Sequence, residues 1–146
     1  MSNPQTRAAV LRCAEGWLDT PYRHQASVKG VGTDCLGLIR GIWRELYGEE
    51  PEAPPAYTPD WAEISGEETL LQAAERWLLP ISFPQAGDVL LFRMASNAPC
   101  KHIGLMAGQR RILHAYWGKS VVFSHFAPFW QRRHVASFAF PPLKQD

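Results

Sequence analysis

The clearest pattern of apolar and polar positions lies between Cys35 and Gly48. Apolar side chains recur three and four residues apart, and polar side chains fill the positions between them. This spacing predicts a helix with one buried face that ends at Gly48, a residue type that tolerates positive φ. The apolar face comprises Leu38, Ile39, Ile42, Trp43, Leu46 and Tyr47.

Two other stretches have helical periodicity. The first begins with Asn3, a favoured N-cap residue that is followed by proline, and it predicts a helix from about Pro4 to Leu18. The second follows Ser65, which has capping-box spacing to Glu68, and it predicts a helix that ends before Pro80. The chain therefore begins with three helices.

From Phe83 onward the pattern changes to short apolar runs separated by turn residues, which is typical of strands. Residues 23–32 and 49–65, which are rich in glycine or proline, are predicted to be loops. Helices followed by consecutive strands indicate a single α+β domain, residues 1–146, with N-terminal helices packed on one side of a mostly antiparallel sheet. The predicted strands are Val89–Phe92, Lys101–Ala107, Arg111–Ala115, Ser120–Phe123 and Val135–Phe140.

Composition narrows the classes of function. The net charge is +1, so nothing in the overall charge favours a nucleic acid or an anionic membrane as a partner. No apolar run approaches the roughly 18 residues that span a bilayer, and Met1–Leu11 has no apolar signal region. Three irregularly spaced cysteines fit neither a disulfide framework nor a zinc site. We expect a protein made in the cytoplasm without a signal peptide, with no metal or other cofactor.

Cys35 stands in the first turn of the predicted second helix, where Thr33 or Asp34 can act as N-cap. Free backbone amides and the helix dipole favour a negative charge there, so the thiol pKa should fall from about 8.5 to roughly 3.5–7.5. Such a thiolate is a nucleophile that needs a base. The alternative is that Cys35 is a small buried apolar residue without chemistry.

Two histidines in the strand region supply candidate bases. A hairpin turn at Gly108–Gln109 would bring His102 close to His114 on the next strand. Cysteine catalysis needs an imidazole to accept the thiol proton and a third group to orient that imidazole. The alternative for each histidine is a core or surface position without function.

Five segments in chain order resemble the motifs of the NlpC/P60 cysteine peptidases. The nucleophile motif of that family, (T/S)DCSG followed by apolar residues, is similar to Thr33–Ile39. The four other matches are Asp19–Arg23 with G-x-PYRWGG, Ala86–Phe92 with GDLVFF, His102–Leu105 with HVGIY, and Leu113–Ala115 with (I/M)HA. Together they span most of the chain.

The resemblance implies a papain-like α+β fold that cleaves stem peptides of cell-wall peptidoglycan, typically at γ-D-Glu–diaminopimelate bonds. By position in the motifs, Cys35 would be the nucleophile, His102 the general base and acid, and His114 the orienting residue. Tyr22 would line the substrate pocket near the thiol. The first-turn backbone N–H of Cys35 would donate to the oxyanion.

Asp34 and Leu36 flank the cysteine and are the remaining candidate substrate-binding residues. By its place in the motif, Asp34 would bind a free amine of the substrate; the alternative is that it only caps the helix. Leu36 stands where the family usually has serine, and residues 24–26 replace Trp-Gly-Gly. Both departures flank the pocket, so they bear on substrate preference.

The form Cys-Leu-Gly-Leu-Ile-Arg-Gly resembles the phage-type members of the family, which are encoded with tail genes, including those of gene-transfer-agent particles. The resemblance implies local digestion of the cell wall from a tail tip during DNA entry. The partners would then be a peptidoglycan stem peptide and tail-tip or baseplate proteins. Two alternatives stay open: a catalytically weak or inactive tail-tip subunit that is structural or binds the wall, and a related thiol amidase or acyltransferase.

Overall fold

The computed structural model describes residues 3–52 and 68–143. Four helices and eight strands follow one another in the described chain. The helices are α1 (Pro4–Glu15), α2 (Cys35–Tyr47), α3 (Thr69–Trp77) and α4 (Pro128–Gln131). The strands are β1 (Ser27–Val28), β2 (Gly32–Thr33), β3 (Leu79–Ile81), β4 (Val89–Arg93), β5 (Cys100–Ala107), β6 (Arg111–Ala115), β7 (Val121–His125) and β8 (His134–Ala139).

Six of the strands form one antiparallel sheet in the order β3-β8-β4-β5-β6-β7. The two remaining strands, β1 and β2, pair with each other in a small hairpin just before α2. The sequence-based prediction of an α+β fold with N-terminal helices on a mostly antiparallel sheet is therefore confirmed. No helix in the described part of the chain is long and apolar enough to cross a bilayer.

The sheet is covered on both faces, as the residues of β4 make clear. Val89 and Leu91 belong to the large core that includes the buried face of α2. Leu90 and Phe92, which alternate with them, belong to a smaller cluster built around Trp130 of α4. Because successive strand residues point to opposite faces, α2 and α4 lie on opposite sides of the sheet. The sequence-based expectation of helices on one side of the sheet is therefore corrected, because α4 covers the other side.

Two glycines allow α2 to pack closely against its neighbours. A Cβ at Gly41 would stand 2.0 Å from Cζ2 of the buried Trp17 ring. A Cβ at Gly37 would stand 2.0 Å from the carbonyl oxygen of Ala26. These contacts hold α2 against the turn that follows α1 and against the residue that precedes β1.

Predictions for the first two helices are largely confirmed. The second helix ends where expected, and Gly48 has a φ of 96°. The first begins at Pro4 with Asn3 as its N-cap, but it ends at Glu15 rather than Leu18. The chain leaves the helix early because the N–H of Asp19, at a φ of 69°, donates to the carbonyl of Val121 in β7.

Other local predictions need correction. Residues 23–32 are not only a loop, since they contain β1 and the start of β2. The third helix does end before Pro80, yet that proline lies in β3, which pairs with β8 at the sheet edge. The proposed capping box at Ser65 and most of the 49–65 loop lie outside the described residues. Each predicted strand is present, with ends that differ by at most two residues.

Candidate active site

Cys35 is the first residue of α2, and its position depends on the carboxylate of Asp34. One oxygen of Asp34 accepts from the N–H of Gly37 at 2.7 Å, which caps the helix. The other accepts from the N–H of Gln25 at 2.7 Å and holds the preceding loop against the cap. The carboxylate therefore has the capping role that was one of the two alternatives for this residue.

The sulfur of Cys35 lies against the backbone on both sides of His102. Its thiol donates to the carbonyl oxygen of Lys101 at 3.9 Å, and the N–H of Ile103 can donate to the sulfur. This stretch of β5 can meet the thiol because β6 pairs with β5 only from Leu105 onward. The start of α2 thus occupies the edge of β5 that β6 leaves open.

The thiol of Cys35 is protonated in this environment. Burial is the largest cause and the neighbouring Asp34 carboxylate the second; together they raise its pKa to about 12. The backbone amides of Ile103, Leu36 and Cys35 itself lower the pKa, but by less than burial raises it. The sequence-based prediction of a lowered pKa is therefore wrong for the unliganded protein, since the side chain is only 6% exposed.

His102 and His114 form a direct hydrogen bond on the α4 face of the sheet. Nε2 of His102 and Nδ1 of His114 are 2.7 Å apart, and Nε2 of His114 is 2.8 Å from Oγ of Ser124. Gly104 leaves room for this pair, because a Cβ there would stand 3.0 Å from Cβ of His114. Since Nε2 of His102 is held by His114, Nδ1 is the ring nitrogen of His102 for which the described residues show no hydrogen-bond partner.

Aromatic rings enclose both histidines. The Trp130 ring centroid lies 5.2 Å from that of His102 and 5.1 Å from that of His114. Tyr116 stacks on His114 at 5.5 Å, and Phe92 contacts His102 at 5.7 Å. Burial lowers the pKa of His114 to about 4; it also holds the pKa of His102 well below 6.5, and neighbouring His114 lowers it further. Both imidazoles are therefore neutral near pH 7.

Tyr22 lies beside the thiol, as its place in the sequence motif suggested. Burial raises the pKa of its phenol, and the nearby Cys35 and Asp34 raise it further. A bridge between Tyr22 and Thr33 ties this residue to the strand that leads into α2. The neutral phenol is thus held next to the Cys35 thiol at neutral pH.

Leu36 lines an apolar cavity of about 140 Å³ between α2, α3 and β5. Ile103 lines the same cavity, so this space adjoins the backbone that touches the thiol. The described rim carries charged side chains, including Arg40 and Glu50. An apolar residue at position 36 therefore makes this wall of the site apolar.

The structure places the sulfur of Cys35 against the backbone that flanks His102, and it joins the His102 ring to His114. Sequence reasoning missed Ser124, because a serine on a strand carries no signal until the pairing register is known. Trp130 is buried, at 7% exposure, and sequence reasoning did not foresee its contact with both histidines. Phe129, of the same aromatic segment, is 43% exposed.

Comparisons of this chain with known proteins agree on one family. The model of the NlpC/P60 family matches residues 19–138, which include every candidate residue described above. A curated relative, the gamma-DL-glutamyl hydrolase of Bacillus subtilis (strain 168), is 25% identical over 125 residues. That alignment covers 85% of this chain but only 27% of the relative, so the chain spans about a quarter of the relative's length.

Solved structures share the fold at low identity. The NlpC/p60 domain of the peptidoglycan hydrolase SagA superposes with a TM-score of 0.64 at 21% identity, covering 92% of this chain and 98% of that domain. An NLP/P60 family protein similar to lipoprotein, from Staphylococcus aureus subsp. aureus Mu50, has a TM-score of 0.65 at 17% identity. The superposition covers 94% of this chain and 42% of that protein.

Proposed function

The chain belongs to the NlpC/P60 family, and on this premise we propose that it is a cysteine peptidase that cleaves peptidoglycan stem peptides at the γ-D-Glu–diaminopimelate bond. The names of two matched proteins support the substrate class, since one is a gamma-DL-glutamyl hydrolase and another a peptidoglycan hydrolase. The observation that carries the proposal is the thiol of Cys35 against the backbone flanking His102, whose ring is held by His114.

The first half of the reaction forms a thioester. Nδ1 of His102 takes the proton of the Cys35 thiol as the sulfur attacks the carbonyl carbon of the scissile amide. The backbone N–H of Cys35, which has no partner within the helix, donates to the developing oxyanion. The intermediate then expels the amine, which takes the proton from His102, and the γ-glutamyl group remains on the sulfur.

The second half regenerates the thiol. His102 accepts a proton from a water molecule as the water oxygen attacks the thioester carbon. The C–S bond breaks, the sulfur recovers the proton from His102, and the γ-glutamyl carboxylate leaves. His114 holds the His102 ring through both steps by the 2.7 Å hydrogen bond.

The residues around the thiol define the substrate pocket in this proposal. Tyr22 lines the pocket beside Cys35, and Leu36 provides an apolar wall. Asp34 would bind a free amine of the stem peptide through its charge. Because both of its oxygens accept from backbone N–H groups, any contact with such an amine must share these oxygens with the cap.

Purified protein incubated with peptidoglycan tests the activity. We expect the wild type to release fragments with a new free amine on diaminopimelate, identified by mass spectrometry, and Cys35→Ala to release none. Cys13→Ala is a matched control, because Cys13 lies on α1, where it hydrogen-bonds Glu45. This control should cleave like the wild type.

Three outcomes would contradict the proposal. Equal product from wild type and Cys35→Ala would remove the sulfur from the reaction. No product from either protein would favour the structural or wall-binding alternative. A new amine on L-alanine instead of diaminopimelate would identify an amidase.

We also propose that the chain acts on the cell wall from a phage-like tail. The support is the sequence form around Leu36, which resembles phage-type members of the family. Density-gradient separation of particles from free protein, followed by mass spectrometry, tests this proposal. We expect the chain to sediment with tail proteins; its presence only in the free fraction would contradict the tail location without affecting the proposed chemistry.

A further inference from the structure

We propose that Ser124 is a positioning residue that accepts a hydrogen bond from His114 and thereby keeps Nδ1 of His102 available as the base. The inference rests on the proposed function, in which His102 takes the thiol proton. It concerns a residue outside the nucleophile and the two histidines, on the far strand of the hairpin that carries His114.

Strand register brings Ser124 to the histidines. In the β6–β7 pair, Ile112 lies opposite Ser124 and His114 lies opposite Val122. His114 and Ser124 are therefore diagonal neighbours on the same face, which is within reach of a histidine side chain. The 2.8 Å separation of Nε2 and Oγ is a normal hydrogen-bond length.

Three groups then form one hydrogen-bonded chain in which the position of one proton determines the others. A neutral imidazole carries one N–H and one acceptor nitrogen. If His102 is to accept a proton at Nδ1, its Nε2 must carry hydrogen and donate to Nδ1 of His114. The single N–H of His114 is then on Nε2, and its only recorded partner among the described residues is Oγ of Ser124.

A hydrogen bond in the opposite direction, donated by Ser124 to His114, cannot support the reaction. If Ser124 donated to Nε2 of His114, the hydrogen of His114 would be on Nδ1 and would point at Nε2 of His102. His102 would then carry its own hydrogen on Nδ1, toward the cysteine, and could not take the thiol proton. Moreover, when His102 is protonated on both nitrogens, its Nε2–H requires an acceptor on His114, so Ser124 must be the final acceptor.

Loss of the hydroxyl should therefore act on the transition state more than on substrate binding. In Ser124→Ala the Nε2–H of a fully buried His114 loses its protein acceptor just when His102 becomes charged. We expect kcat to fall by roughly tenfold, with KM changed less than about twofold. Ser124→Thr keeps the hydroxyl at a strand position and should restore kcat.

Ser137→Ala is a matched control. Ser137 makes a hydrogen bond of similar length, 2.7 Å, to Nε2 of His134 on β8. Neither residue contacts Cys35 or Ser124 in the recorded hydrogen bonds of the described chain. We expect this variant to retain the kcat and KM of the wild type.

Nitrogen-15 NMR of the histidine rings tests the inference without turnover. The wild type should show both His102 and His114 as Nε2–H tautomers near pH 7, and Ser124→Ala should shift His114 toward Nδ1–H. An Nδ1–H tautomer of His114 in the wild type, or unchanged tautomers and kcat in Ser124→Ala, would overturn the inference. A wild type without any cysteine-dependent cleavage would contradict the proposed function, while the tautomers would still decide the role of Ser124.

Discussion

At the scale of single residues, burial determines the protonation of the site. The first turn of a helix lowers a thiol pKa, yet the buried Cys35 has a pKa of about 12. The same desolvation keeps the two imidazoles neutral, because the rings of Trp130, Tyr116 and Phe92 surround them. The unliganded protein therefore holds a neutral thiol and two neutral imidazoles, and in the proposed reaction proton transfer accompanies attack on the substrate.

The pH dependence of kcat/KM should reflect this neutral pair. Activity requires an unprotonated His102, whose pKa is held well below 6.5, so we expect no loss until the pH falls below about 6.5. The thiol pKa of about 12 adds no alkaline limb up to about pH 9. Initial rates on a soluble muropeptide between pH 4 and 9 measure the profile. A rise in kcat/KM above pH 7 that follows a thiolate would contradict this description.

At the scale of elements, the position of α2, which begins at Cys35, depends on two glycines against which its neighbours pack. Trp17 of the turn after α1 packs on Gly41, and its indole N–H donates to Glu45 of the same helix at 3.1 Å. Gly37 meets the backbone of Ala26 near the start of α2. The orientation of the first turn of α2 therefore depends on positions that lack a side chain.

Gly41→Ala should lower the free energy of unfolding by about 2 kcal/mol. The added Cβ would stand 2.0 Å from the buried Trp17 ring, and such overpacking typically costs 1–3 kcal/mol or more, against a helix-propensity gain of about 1. Urea unfolding measures the change. Gly108→Ala is the control, because no heavy atom lies within 4 Å of its Cβ position, and it should change stability by less than about 0.5 kcal/mol. Equal stability of the two variants would contradict the packing argument.

At the scale of the whole molecule, the sheet separates two environments. The face toward α2 holds the main core, which includes Cys35. The face toward α4 holds the smaller aromatic cluster and the histidine pair. Since the histidines are buried in the fold and exposed when it unfolds, folding stability and the protonation of the site are linked.

Acidification should therefore destabilise the protein between pH 7 and 5. The folded pKa of His114 is about 4 and its ordinary value is 6.5, so the unfolded chain binds a proton in this range that the folded chain does not. Its contribution to the loss is about 2 kcal/mol at pH 5. Urea unfolding at pH 7 and at pH 5 measures the loss of stability, and this loss should be about 2 kcal/mol smaller in His114→Gln than in the wild type. An equal loss in wild type and variant would contradict the linkage.

The elements near Cys35 could be predicted because the sequence patterns that indicate them span only short stretches of chain. The apolar spacing of α2 and the turn between β5 and β6 each lie within a few residues of chain. β3 could not be predicted, since Pro80 ends a helical pattern locally, while pairing with β8 is a long-range contact. The β1–β2 hairpin was missed for a similar reason, because strands of two residues carry no periodicity.

The candidate site divides in the same way. Cys35, His102 and His114 belong to recognisable motifs, and the hairpin turn predicts that the two histidines are close. Ser124 depends on the β6–β7 register, which no single segment encodes. The raised thiol pKa depends on how much of the fold covers Cys35, a property that the first turn of one helix does not contain.

The most direct test of the account is whether the γ-glutamyl group passes through the sulfur of Cys35. A thioester on the enzyme reacts with hydroxylamine as well as with water, so hydrolysis of a muropeptide in the presence of hydroxylamine should yield the γ-glutamyl hydroxamate. We expect the share of hydroxamate, measured by mass spectrometry, to rise with hydroxylamine concentration in the wild type and to be absent in Cys35→Ala. Release of only the free acid at every hydroxylamine concentration would mean that water attacks the amide directly, and it would contradict the central role of Cys35.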